Sequence, residues 1–179
     1  AGERADGHDY VGAAVAAGAV GVLATRTTEA PTIVVPDVLA ALGTLARFHV
    51  DRLERTTVVG ITGSVGKTTA KDLTAAVLSV AGPTVAPPGS FNNELGVPLT
   101  LCNAPDDVQA VVVEMGARGA GHIELLCDMA RPTVGVVTTV QAVHTELMGG
   151  EEQIARTKGE LIESLPDDAQ VPVRFVTFD

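Results

Sequence analysis

Aromatic side chains are nearly missing from this chain: they make up 3% of its 179 residues, with no tryptophan and one tyrosine. A core built without them has to come from Val, Leu, Ile and Ala, as it does in parallel strands buried on both faces. Cysteine is scarce as well. Cys102 and Cys127 are too few and too unpatterned for a disulfide framework or a zinc site, and both read as reduced core residues. No apolar run is long enough to span a bilayer and no signal peptide is visible, so the expectation is a cytoplasmic protein without membrane insertion. Positive charge is short too: 12 Lys and Arg against 22 Asp and Glu leave a net charge of -10, with no basic run. That argues against nucleic acid or an anionic membrane as a partner. It leaves room for a phosphate ligand held locally by a loop and metal ions.

What is present centres on Val58 to Thr69, V-V-G-I-T-G-S-V-G-K-T-T. Thr57, Val58, Val59 and Ile61 form a β-branched run that suits a buried parallel strand. Gly63, Ser64, Val65, Gly66 and Lys67 end it, and a helical pattern follows through Leu73 and Val77. Strand, glycine turn and helix start make a phosphate-binding loop. Its glycines let backbone N–H groups turn inward, and the helix N-terminus adds roughly half a positive charge. A full Walker A motif would place a glycine where Ile61 stands, and Gly60 comes one position early. The match is therefore to the shorter core, Thr62-Gly63-Ser64-Val65-Gly66-Lys67-Thr68-Thr69.

The chain length suits one globular domain, or one and a fraction. Helix is expected over Tyr10 to Ala17, with Gly18 as its C-terminal stop, and short strands over Val20 to Ala24 and Ile33 to Val35. Two strands and a helix cannot bury a full core, so residues 1–36 read as the remnant of an N-terminal domain. Residues 37–55 read as a helical linker and 56–179 as the central domain. There, an extended piece is expected within Pro83 to Pro87, and strands over Val108 to Met115, Thr133 to Val140 and Val171 to Phe178. Helices are expected over Gly121 to Met129 and Gly150 to Leu165. The fold class is therefore α/β: a three-layer, mostly parallel sheet of the phosphate-loop type, with helices on both faces, preceded by a partial small α/β domain.

In such sheets ligands bind beyond the carboxyl ends of the strands. That rule selects Lys67 and Thr68 after the first core strand, Glu114 at the end of Ala110 to Val113, and Gln141, His144 and Glu146 after Val134 to Thr139. A carboxylate beside a phosphate loop can hold Mg²⁺ against a threonine hydroxyl and the phosphates; the competing reading of Glu114 is a cap or loop-surface acid. Of the three lysines, Lys71 reads as a solvated helix residue, and from spacing alone Lys158 reads as a surface ion-pair residue. Asn92-Asn93, in the polar loop Gly89 to Glu94, serve turn chemistry or substrate contact about equally well.

Five ordered motifs carry a resemblance. The phosphate loop, Asn92-Asn93-Glu94-Leu95-Gly96-Val97-Pro98, Glu114-Met115-Gly116, Thr138-Thr139-Val140-Gln141-Ala142-Val143-His144 and Ala155-Arg156-Thr157-Lys158-Gly159-Glu160 together resemble the Mur ligases, which build the peptide stem of the peptidoglycan precursor. The Asn92 to Pro98 stretch, and Asp6 to Tyr10 with Ala17-Gly18-Ala19, are most similar to the branch that adds D-alanyl-D-alanine.

The resemblance implies an ATP-dependent amide ligase acting on a UDP-N-acetylmuramoyl tripeptide and D-alanyl-D-alanine through an acyl phosphate, and working as a monomer. It implies that Lys67 and the loop amides hold the phosphates, and that Thr68 and Glu114 hold one Mg²⁺. His144 and Lys158 would serve a second, Lys158 matching a lysine that several members carbamylate. Thr69, Asn92 and Asn93 would line the phosphate and substrate site. The family's closing C-terminal domain and the first part of its N-terminal domain are not recognisable, so the chain is expected to be truncated, to bind nucleotide, and not to ligate alone. A sibling ligase (adding lysine or diaminopimelate), a folylpolyglutamate-synthetase relative, and a non-catalytic phosphate-loop module stay open as alternatives.

Overall fold

The structure is a computed structural model and describes residues 6–53, 55–141 and 150–167. The chain divides into two compact units, residues 1–42 and 43–179.

In the first unit a short 3-10 turn, Gly7–Tyr10, leads into helix α1, Val11–Ala16. Asp6 starts the turn by accepting from the His8 backbone N–H at 3.0 Å and from the His8 ring at 2.6 Å. Gly18 does stop the helix: it takes φ +103, and Gly18 and Ala19 donate to the carbonyls of Val15 and Ala14, both at 2.9 Å. Those paired bonds satisfy carbonyls the helix leaves open. Strands β1, Val22–Ala24, and β2, Thr32–Val34, then pair in parallel. Helix α2, Val38–Val50, runs from this unit into the second, and Asp37 caps it through the Ala40 N–H at 3.0 Å.

The second unit holds four parallel strands: β3, Thr57–Thr62; β4, Thr84–Val85; β5, Ala110–Glu114; and β6, Val134–Val137. Their order is β4-β5-β3-β6. The two central strands carry the β-branched runs. Val58 faces one side and Val59 and Ile61 the other; on β5, Val111 and Val113 oppose Val112 in the same way. Helix α3, Lys67–Leu78, covers the smaller core around Val59, Ile61 and Val112. The larger core lies beneath the end of α2 and helices α4, Gly96–Cys102, α5, His122–Ala130, and α6, Glu151–Glu163. Gly60 leaves room on that face for Leu161 and Met115, since a Cβ there would come within 2.9 Å of the leucine.

This is the three-layer α/β arrangement expected. Both cysteines are free: Cys102 is half-buried, while Cys127 is buried, its Sγ 3.8 Å from Met115 Sδ and its thiol pushed up to about 12 by desolvation. Helix α4 has no counterpart in the sequence expectation; it is short, and its Pro98 sits in the first turn, where proline is tolerated. The expected strand over Val171 to Phe178 lies outside the described residues. Among the described residues, no helix is long and apolar enough to cross a membrane.

Candidate active site

The phosphate loop leaves β3 at Thr62, whose hydroxyl donates to the Met115 carbonyl at 2.8 Å and so ties the tips of β3 and β5 together. Gly63 takes φ +143 and Gly66, at the start of α3, takes φ +84, both in the region that favours glycine. At Gly63 the crowding is also absolute: a Cβ would lie 2.1 Å from Thr138 Oγ1. The segment after β6 pins the loop from below. Thr138 Oγ1 donates to the Val65 carbonyl at 2.6 Å, Ser64 N–H to the Thr139 carbonyl at 2.9 Å, and Val65 N–H to Thr139 Oγ1 at 3.1 Å. Ser64 further exchanges hydrogen bonds with the Gln141 backbone at 3.0 Å. Lys67 folds back over the loop, its ammonium donating to the Gly63 carbonyl at 2.9 Å and the Ser64 carbonyl at 3.3 Å.

Glu114 closes β5 as its last residue and is only 1% exposed, which excludes the loop-surface reading. Burying a carboxylate is costly unless its oxygens are satisfied, and both are. Thr68 Oγ1 donates to one and Asn92 Nδ2 to the other, each at 2.7 Å. Since the Thr68 proton is committed to Glu114, the Ser90 hydroxyl, 3.1 Å away, is the donor to Thr68. The Asn92 carbonyl accepts from Gly116 N–H at 2.8 Å, while Asn93 Oδ1 accepts from the N–H groups of Leu95 and Gly96 at the start of α4. Asn93 thus makes the expected turn, while Asn92 bonds Glu114, and both line the cleft above the phosphate loop. Glu114 and the Thr68 hydroxyl form a small hard-oxygen set. It suits Mg²⁺, which takes one or two carboxylates and completes its shell with phosphates and water. Among the described residues, no cluster of three or more His, Cys, Asp or Glu could hold a metal unaided.

A cleft of about 220 Å³ opens above the loop. Gly63, Ser64 and Lys67 line one side, Asn92, Asn93 and Glu94 a second, and Arg118, His122, Ile154 and Lys158 the far wall. Lys158 corrects the reading from spacing: it is 4% exposed, not a surface residue. Desolvation, with the Lys67 ammonium nearby and Glu160 partly offsetting, lowers its pKa to about 8. Ile154, Thr157, Lys158 and Leu161 form the buried stripe of α6, and that helical phase turns the lysine inward. Lys71 needs the same correction, being wholly buried on α3. Thr69 is exposed on the first turn of α3 and does not line the cleft. His144 and Glu146 lie outside the described residues.

Three features have no sequence signal strong enough to find them. Arg118 and His122 reach the cleft because the turn after β5 brings them there, the Arg118 N–H donating to His122 Nδ1 at 3.2 Å. Glu160 reaches from α6 to cap α5, accepting from the N–H groups of Gly121, Ile123 and Glu124 at 2.8, 3.0 and 3.1 Å. Only the tertiary pairing of α5 with α6 makes that cap possible.

Fold and cleft together define an α/β domain of the phosphate-loop class, with a buried strand-end carboxylate beside the loop. Comparison with known proteins narrows this. Residues 61–177 match the Mur ligase middle domain. The chain is 45% identical over 193 aligned residues to the UDP-N-acetylmuramoyl-tripeptide--D-alanyl-D-alanine ligase of Mycobacterium tuberculosis, covering 95% of this chain and 38% of that protein. It is 40% identical to the Bacillus subtilis enzyme of that name, covering 93% and 37%. The crystal structure of the Thermotoga maritima MurF ligase in complex with ADP superposes with a TM-score of 0.82 at 36% identity, over 93% of this chain and 39% of that one. The chain belongs to the Mur ligase family. It spans about 38% of the length of the relatives it matches.

Proposed function

We propose that this chain carries the ATP and Mg²⁺ centre of an amide ligase of peptidoglycan-precursor synthesis. In this reading residues 56–179 are the central ATP-binding domain, 37–55 its linker and 1–36 part of a UDP-substrate domain. The observation that carries it is Glu114, buried at a strand tip and hydrogen-bonded to the Thr68 hydroxyl of the phosphate loop. Similarity to the D-alanyl-D-alanine-adding ligases supports the choice of substrates: a UDP-N-acetylmuramoyl tripeptide and D-alanyl-D-alanine. We place the enzyme in the cytoplasm, working as a monomer.

The γ-phosphate of ATP passes to the tripeptide's terminal carboxylate, giving an acyl phosphate and ADP. The D-alanyl-D-alanine amine attacks the acyl carbon, the amide forms, and phosphate leaves with the amine proton released to solvent. Phosphoryl transfer is chiefly alignment and charge neutralisation. The N–H groups of residues 66–68, at the start of α3, and the Lys67 ammonium, swung off its loop carbonyls, hold the terminal phosphates. Thr68 and Glu114 would hold one Mg²⁺, and His144 and Lys158 would serve a second. When bound, Mg²⁺ would supply neutralisation of the phosphate charge. Thr69 supports the loop helix, and Asn92 and Asn93 face the substrates. Burial and a pKa of about 8 suit Lys158 to carbamylation, because the neutral amine is the form that reacts. Its nitrogen adds to the carbon of CO₂ and sheds a proton, converting a cation into a metal-binding anion.

The test is phosphate release from ATP by a chain of the relatives' full length bearing these residues. Release is expected only with both the tripeptide and D-alanyl-D-alanine. Lys67→Ala should lower it by a factor on the order of 10²–10³. Release with lysine, diaminopimelate or glutamate as the acceptor instead would assign a sibling ligase. Nucleotide binding with no release for any acceptor would leave a binding module.

A further inference from the structure

Lys71 plays no part in the proposed phosphoryl transfer, yet it is among the most completely buried large side chains of the protein, at 0% exposure. An ammonium in that position needs its protons and its charge satisfied. It donates to the Pro87 carbonyl and to the Gly89 carbonyl at 2.9 Å, and it forms an ion pair with Asp72 Oδ1 at 2.9 Å. Asp72 is solvent-exposed and could be satisfied by water. The two carbonyls have fewer options. They belong to Pro87-Pro88-Gly89, where two residues lack an N–H and Gly89 takes φ +62, so the segment cannot join the sheet by a regular ladder.

The residues just beyond Gly89 tie this contact to the site. Ser90 donates to the Thr68 hydroxyl at 3.1 Å, and Asn92 donates to Glu114 at 2.7 Å. One short stretch of backbone, 89–92, is therefore held by the Lys71 ammonium at Gly89 and contacts both hydroxyl and carboxylate beside the phosphate loop through Ser90 and Asn92. Lys71 and Thr68 stand three residues apart on α3. One helix therefore carries the metal-side hydroxyl and the cation that holds the opposing loop against it.

We propose that Lys71 is a positioning residue: it clamps Pro87–Gly89 onto α3 and so sets Ser90 and Asn92 against Thr68 and Glu114, preparing the Mg²⁺ side of the site. This rests on the proposed nucleotide site. Groups that orient a metal ligand typically change metal affinity by about 10–100-fold when removed. The effect should fall on the metal-dependent part of binding and spare the phosphate-loop amides, which Lys71 does not touch.

The experiment uses the 179-residue chain and ADP, titrated calorimetrically in Mg²⁺ and in EDTA. Wild type should bind ADP in EDTA and tighter in Mg²⁺. Lys71→Met should keep its EDTA affinity within about twofold and lose about tenfold of the Mg²⁺ enhancement. In ligand-free protein the same variant should speed amide hydrogen exchange of residues 89–94 by about tenfold, a readout that needs no nucleotide. Asp72→Ala, which leaves both carbonyls held, should match wild type in both assays. If Lys71→Met does not fold, Lys71→Gln keeps a neutral N–H donor group on a shorter stem and should show a loss of about threefold. Wild-type enhancement and exchange in the methionine variant, or in the glutamine variant where that is the one that folds, would overturn the proposal. So would a loss of equal size in Asp72→Ala. Failure of wild type to bind ADP at all would instead sink the nucleotide reading, and the exchange data would still decide whether Lys71 holds the loop.

Discussion

The two walls of the cleft are built by different means. The phosphate-loop wall, lined by Gly63, Ser64 and Lys67, comes from one short stretch of chain, and its shape is set by backbone: two positive-φ glycines and a helix start. The opposite wall takes Asn92, Arg118, His122 and Lys158 from four separate elements, held in register by single side chains such as Glu160 on the α5 N-terminus. The loop wall tolerates no change of backbone conformation, although Thr138 and Thr139 also brace it. An assembled wall tolerates conformational change yet fails when one long-range contact is lost. Substitutions in each wall should therefore fail differently.

Gly63→Ala should produce the largest effect. It puts a Cβ 2.1 Å from Thr138 Oγ1 at φ +143, so strain and overpacking combine to cost about 4 kcal/mol. Chemical denaturation would measure it. A loss under about 1 kcal/mol would mean that the loop wall is softer than described.

Lys158→Met probes the assembled wall through pH. The folded pKa, about 8, lies below the ordinary 10.5, so the unfolded chain binds more protons between those values and wild-type stability rises with pH across that window. Below about pH 8 the full penalty of a buried ammonium is present. The methionine variant lacks it, so its advantage over wild type should be greatest near pH 7. That advantage should shrink by about 3 kcal/mol toward pH 10.5. Melting curves of both proteins in CO₂-free buffer test this, and a pH-independent difference would contradict it.

Glu160→Ala should be the mildest of the three, costing about 2 kcal/mol for a lost charged cap with three donors. Unlike Gly63→Ala, it should leave ADP affinity in EDTA unchanged, because the loop amides do not depend on it. Equal loss of ADP affinity in both variants would erase the distinction between the walls.

The same contrast explains what can be read from the sequence. The β-branched runs of β3 and β5 and the glycine turn specify their conformations locally, so the parallel sheet, the phosphate loop and Glu114 at a strand tip are all legible. Helix α4 is not, since it spans only Gly96–Cys102 and is held by tertiary contact, with Val97 and Leu101 buried in the core. Lys71 and Lys158 escape a local reading for a related reason. Lysine is normally solvated, and nothing near either residue in sequence announces the carbonyls or the helix phase that bury it. The resemblance to a family singles out Lys158 where spacing does not. For Lys71 and Glu160 only the folded arrangement supplies the reason.

The most direct test of the central claim is a crystal structure of this chain with ADP and Mg²⁺. The terminal phosphate should lie on the N–H groups of residues 66–68, and the metal should be bound by Thr68 and Glu114 with their mutual hydrogen bond replaced. Phosphates away from that loop, or a metal that leaves the Thr68–Glu114 contact intact, would contradict it.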